Sequence, residues 1–78
     1  MARRDIYAAR HILARNLRRL RRAQKMTQEQ LANAAGLRQA LVSELESGKL
    51  DVRVDTLSRL ATALDSSMAD LFDETRRG

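Results

Sequence analysis

The chain has no cysteine, no proline and no tryptophan, and only three glycines, one tyrosine and one phenylalanine among its 78 residues. Without cysteine there is no disulfide, no thiolate metal site and no thiol nucleophile. Without proline, helices are interrupted only by glycines and by local capping chemistry. Two aromatics, Tyr7 and Phe72, cannot build the stacking platform on which single-stranded RNA is read. No apolar run approaches the roughly 18 residues of a membrane span, and no signal-peptide core is present. A cytoplasmic location is therefore expected. A chain this short buries only about 60% of its unfolded surface. One domain over residues 1–78 is expected, stabilised by well-packed helices or by a partner subunit.

What is present is an all-helical composition dominated by Ala, Leu, Arg, Gln and Glu. The net charge of +5 is unevenly spread. Up to Lys25 there are nine Lys/Arg against one acid, Asp5; from Met26 onward there are six bases and nine acids. A basic half beside an acidic half suits an oriented molecule with one face for an anion. A solvated helix face accounts for the same run, and an Arg-rich start also fits an organelle presequence or a membrane-surface helix.

Leu13, Leu17 and Leu20 recur at helical spacing and predict a first helix over Asp5–Lys25, with residues 1–4 loose. "TQEQLANAAG" predicts a second. Thr27 is its N-cap, Gln30 completes a capping box, and Gly36 ends it in the left-handed conformation. A third runs from about Arg38 to Ser47 and stops at Gly48. "VDTLSRLATAL" is a fourth, with Val54, Leu57, Leu60, Ala61 and Leu64 on one side. Asp65 stands where a stop glycine is expected and tolerates the left-handed region. Ser67 can cap a short fifth helix, "MADLFDE", before a frayed "TRRG" tail. The ordered core is expected over about residues 5–74.

On a wheel of the third helix, Val42 and Leu45 face one way, flanked by Arg38 and Glu46. Gln39, Ala40, Ser43, Glu44 and Ser47 face the other. That second face suits a helix in the major groove of DNA. Gln pairs in bidentate fashion with adenine, Glu accepts from the cytosine amino group, and an Ala methyl meets a thymine methyl. An ordinary solvent face has the same composition, and Glu44 favours it, since phosphates repel a carboxylate.

Spacing separates the two. "MTQEQLANAAGLRQALVSELESG" resembles the helix-turn-helix of the Xre/Cro/CI-like regulator family. The resemblance is carried by Thr27, Gln28, Glu29, Leu31, Ala32, Gly36, Leu37, Val42, Ser43, Leu45, Glu46 and Gly48. It continues through "DTLSRLATALDSSMADLF", covering residues 12–73. It implies an all-α, five-helix lambda-repressor-like DNA-binding domain with its helix-turn-helix at 27–48. By position it implies base reading by Gln39, Ala40, Ser43 and Glu44, and a phosphate contact by Gln28. It also implies an ion pair, Arg21–Glu46, tying the first helix to the third. Three positions depart from the pattern. Arg38 replaces the usual Ser or Thr cap and is free to reach the DNA backbone. Val52 replaces a common proline, which leaves Arg53 unplaced. Leu41 falls between the two faces.

The remaining phosphate contacts are expected from Arg18, Arg22 and Arg53, with Ser47 at the helix end. One recognition helix reads few base pairs, so a homodimer is expected. It places two such helices roughly 34 Å apart on a palindromic operator. Leu50, Val52, Met68, Leu71 and Phe72 are the candidate interface, with core packing the other use of the last three. Glu44, Glu46 or Asp51 are candidates for a surface facing RNA polymerase. The resemblance includes phage repressors, restriction–modification controllers and antitoxins. A toxin-neutralising module is therefore the alternative, with DNA binding serving autoregulation. A nucleoid-associated location goes with either. His11 stands alone on an Arg-rich helix with no second metal ligand near it, so no metal or cofactor is expected. The acids at 44, 46, 51 and 55 have no nucleophile or histidine dyad beside them, so the chain is expected not to be an enzyme.

Overall fold

The computed structural model describes residues 7–75. The expectations for residues 1–6 and for the last three of the tail lie outside that range. Five helices follow in order: α1 (Ala8–Ala23), α2 (Gln28–Ala35), α3 (Gln39–Glu46), α4 (Val54–Ala63) and α5 (Met68–Leu71). Among the described residues there is no strand. The main helix contacts form a closed ring, with α2 on α3, α3 on α1, α1 on α5, α5 on α4 and α4 back on α2. Inside the ring lie Leu13, Leu17, Leu31, Val42, Leu45, Leu60, Leu64 and Leu71, all essentially without solvent contact. Fully burying each such side chain is worth about 1.5–3 kcal/mol. This leucine core is what fixes the position of α3.

The helix starts follow capping chemistry. Thr27 Oγ1 accepts from the Gln30 amide at 3.0 Å, and Gln30 Oε1 accepts from the Thr27 amide at 2.8 Å. Ser67 and Asp70 form the equivalent box on α5. The hydrogen bonds draw the Asp70 carboxyl below the usual aspartate range, the Ser67 backbone amide contributing most and its hydroxyl next.

The first four helices end alike. In each, an amide beyond the last turn reaches back five residues: Met26 to Arg21, Leu37 to Ala32, Lys49 to Glu44 and Ser66 to Ala61. This closure needs a left-handed residue one position earlier. Lys25 (φ 57°), Gly36 (φ 69°), Gly48 (φ 75°) and Asp65 (φ 52°) fill those places. The first helix therefore ends at Ala23, short of Lys25, because Lys25 is spent on the turn. Gly48 also lets the link pass beneath α1: a Cβ there would lie 2.8 Å from His11 Cδ2.

Val54 is 70% exposed, which corrects its expected place on the buried side of α4. It is the first residue of the helix and sits about 70° around the wheel from the centre of the Leu57–Leu60–Ala61–Leu64 stripe. At that edge the core has already ended. Leu71 is 0% exposed. It belongs to the protomer's own core, and its expected share in a subunit interface is withdrawn.

Candidate nucleic-acid interface

Helix α3 is amphipathic at single-residue resolution. Val42, Leu45 and Glu46 are buried, whereas Gln39, Ala40, Ser43 and Glu44 on the helix, and Ser47 just after it, are exposed. Leu41, unplaced by sequence, is half-buried against the core, as is Leu37 before the helix. The outward strip therefore carries only short or hydrogen-bonding groups. Ser47 Oγ donates back to the Glu44 carbonyl at 2.6 Å, which closes the last turn. At the other end Arg38 is exposed and extended (φ −80°, ψ 145°), with no side-chain cap on the helix. The first amides of α3 are thus left without an internal acceptor from that side chain.

Glu46 is the point where three helices meet. Its carboxylate takes Arg21 in bidentate fashion, Nε at 2.6 Å and Nη2 at 2.9 Å. Arg21 Nη1 also donates to the Met26 carbonyl at 2.8 Å. The Glu46 hydrogen bond raises the Arg21 pKa, with burial acting in the opposite direction. Glu46 Oε1 further accepts from Gln28 Nε2 at 3.1 Å, at the first position of α2. Arg18 Nη1 donates to the Glu46 carbonyl. One buried carboxylate and its own carbonyl therefore fix the end of α1, the start of α2 and the end of α3 relative to each other. Such a buried Glu46 is not available as a surface for a polymerase, which corrects that expectation; Glu44 and Asp51 are exposed.

The sequence-derived phosphate residues divide in the same way. Arg22, Arg38, Ser47 and Arg53 are exposed, the last as the extended residue before α4. Gln28 and Arg18 are half-buried and already hold Glu46.

Sequence reasoning missed Asn16. It is fully buried, and its amide donates to the Leu71 carbonyl at 3.0 Å and the Asp73 carbonyl at 2.9 Å, latching the end of α5 onto α1. A lone asparagine beside a leucine stripe was the available signal, since a buried amide must find partners.

An apolar groove of about 140 Å³ opens between Ala9 and Leu13 of α1, Leu50 and Val52 of the link, Leu57 and Phe72, with Arg10 and Asp51 completing its lining. Leu50, Val52 and Phe72 are only half-buried, and Met68 is 38% exposed. No helix among the described residues is long and apolar enough to cross a membrane.

Several known proteins are similar to this chain. The helix-turn-helix family profile matches residues 17–71. The control protein C.SmaI of Serratia marcescens is 39% identical over 67 residues, covering 86% of this chain and 77% of that protein. HigA2 of Mycobacterium tuberculosis, a candidate antitoxin, is 40% identical over 68 residues, covering 82% of this chain and 67% of its own. The crystal structure of the restriction–modification controller protein C.AhdI from Aeromonas hydrophila superposes with a TM-score of 0.80. At 37% identity it covers 83% of this chain and 98% of that one.

Proposed function

Since the chain belongs to the helix-turn-helix family of Xre/Cro/CI-like regulators, we propose that it works as a homodimer that inserts two copies of α3 into successive major grooves of a palindromic operator. The protein is a DNA-binding transcription regulator of the controller and antitoxin type, and its relatives are regulators rather than enzymes. The finer reading rests on the outward strip of α3. Gln39, Ala40, Ser43 and Glu44 are exposed on a helix whose other side is buried. These are the groups that reach base edges.

Around this strip, Arg38, Ser47, Arg53 and Arg22 offer donors to phosphates. Gln28 and Arg18 would add theirs with the atoms that Glu46 leaves over. Phosphate contacts fix register without reading sequence. Leu50, Val52, Met68 and Phe72 supply the apolar surface for the second subunit. A single eight-residue helix makes too few contacts for operator-level affinity, and pairing two about 34 Å apart overcomes that limit. This role goes with a nucleoid-associated location in the cytoplasm.

Selection of bound duplexes from a random library, with sedimentation of the complex, tests this reading. The expected product is a two-fold symmetric site with half-sites about one turn apart, bound by two chains. A library that yields no enriched sequence contradicts it.

The similarity to HigA2 supports a second reading, in which neutralising a toxin is the main task. Co-expression with the adjacent gene and chromatography separate the two. A stable hetero-complex favours the second, and separate elution favours the first.

A further inference from the structure

Arg15, Arg18, Arg19 and Arg22 share one side of the second half of α1. Together with Ala23 they line a hollow of about 580 Å³, and no acidic residue contributes to it. Four guanidinium groups within two turns repel one another, which costs stability.

Three of the four are nevertheless held. Arg15 Nη2 donates to the Asp73 carbonyl at 3.4 Å, Arg19 Nη2 to Asn16 Oδ1 at 3.2 Å, and Arg18 Nη1 to the Glu46 carbonyl. Every one of these acceptors is neutral. They orient the guanidinium groups without cancelling their charge.

Carboxylates flank the set without entering the hollow. Asp70 attracts Arg19 from outside the hollow while its oxygen accepts from the Ser67 amide at 2.9 Å. The Glu46 carboxylate serves Arg21 and Gln28. Among the described residues, the Nε groups of Arg15 and Arg19 are shut off from water with no hydrogen-bond partner. Arg22 is exposed.

We propose that this hollow, lined by four arginines and no acid, is a phosphate-binding site, distinct from the α3 strip, in which oriented guanidinium forks receive the oxygens of a phosphate-bearing anion. Guanidinium forks match phosphate oxygens in pairs. The hollow has room for several linked phosphate groups, where one carboxylate would meet only a part of the set. Small turns of the Arg15 and Arg19 planes bring their unpaired Nε–H groups onto such an anion. Phosphate of this kind comes either from a free polyphosphate or phosphorylated metabolite, or from duplex DNA running past the half-site. Arg18 and Arg22 are shared with the operator phosphate contacts proposed above, whereas Arg15 and Arg19 are not, so the response of the latter two tests the hollow apart from the operator reading.

Inorganic tripolyphosphate is the probe, titrated into the full chain at constant ionic strength while the arginine Nε–Hε resonances are followed. Saturable shifts at Arg15 and Arg19 are expected, with a rise in Tm. Arg22→Gln, on an exposed side chain, leaves the fold intact and is expected to weaken binding about tenfold. The pair Arg15→Gln and Arg19→Gln is expected to abolish it. Repeating the titration with a bound duplex separates the sources: loss of tripolyphosphate binding assigns the site to DNA phosphates, and retention assigns it to a free ligand. Shifts no larger than those from sodium chloride at matched ionic strength overturn the proposal. So does an Arg22→Gln protein that titrates like the wild type.

Discussion

Gln28 and Glu46 are bonded across the helix-turn-helix, Nε2 to Oε1 at 3.1 Å, on the carboxylate that Arg21 grips from α1. The residue that opens α2 is thereby set by the residue that closes α3. The spacing between the two ends of the motif is held by side chains as well as by the turn at Gly36.

That relationship gives the first prediction. Glu46→Ala strands the Arg21 guanidinium, whose side chain is only 12% exposed. Breaking a buried pair from one side costs about 3 kcal/mol or more. Replacing both, as Arg21→Met with Glu46→Leu, removes the stranded charge and is expected to recover much of the loss. Urea unfolding of the two variants measures the difference. Equal destabilisation by the single and the double change would show that the pair's charge is not what matters.

The four left-handed residues give the second. A non-glycine residue there carries about 1 kcal/mol of strain. Lys25→Gly is therefore expected to stabilise the protein, though the added freedom of the unfolded chain offsets part of the gain. Gly48→Ala is expected to cost more than Gly36→Ala. A Cβ at Gly48 presses on the His11 ring at 2.8 Å, whereas at Gly36 it meets only the mobile end of Arg59 at 3.0 Å. Adding His11→Ala to Gly48→Ala is expected to remove the excess. Thermal melts in a double-mutant cycle check this.

The third concerns pH. Asp70 has a folded-state pKa below its unfolded value, because its carboxylate accepts from Ser67. Its contribution to the fold is then fully present above the unfolded value of about 3.9 and is lost as pH falls through the lower folded value. Amide exchange at the start of α5 is expected to quicken across that acid window. Asp70→Asn is expected to quicken it at neutral pH and to flatten the pH dependence.

Much of this architecture is legible in the sequence because its signals are local. Thr27 with Gln30, Gly36, Asp65 and Ser67 each act within a few residues, and each lies where capping chemistry puts it. The unread features depend on tertiary neighbours. Lys25 adopts a left-handed turn that its side chain does not announce. Val54 fits an apolar stripe by type but stands beyond the edge of the core. Leu71 and Phe72 look alike as an apolar pair, yet the ring of helices closes over one and leaves the other half-covered. Arg18 looks like any surface arginine until the end of α3 is brought beside it. The outward strip of α3 was legible as a face; the base-reading role proposed for it rests on the family spacing as well.

The most direct test of that role is Gln39→Ala, measured against the selected operator, single-base variants of it, and scrambled duplex. If α3 reads bases, the substitution costs about 1–3 kcal/mol on the operator. Preference then relaxes at one symmetric position per half-site, while scrambled DNA binds as before. An equal loss on operator and scrambled DNA, with base preference unchanged, would contradict the account.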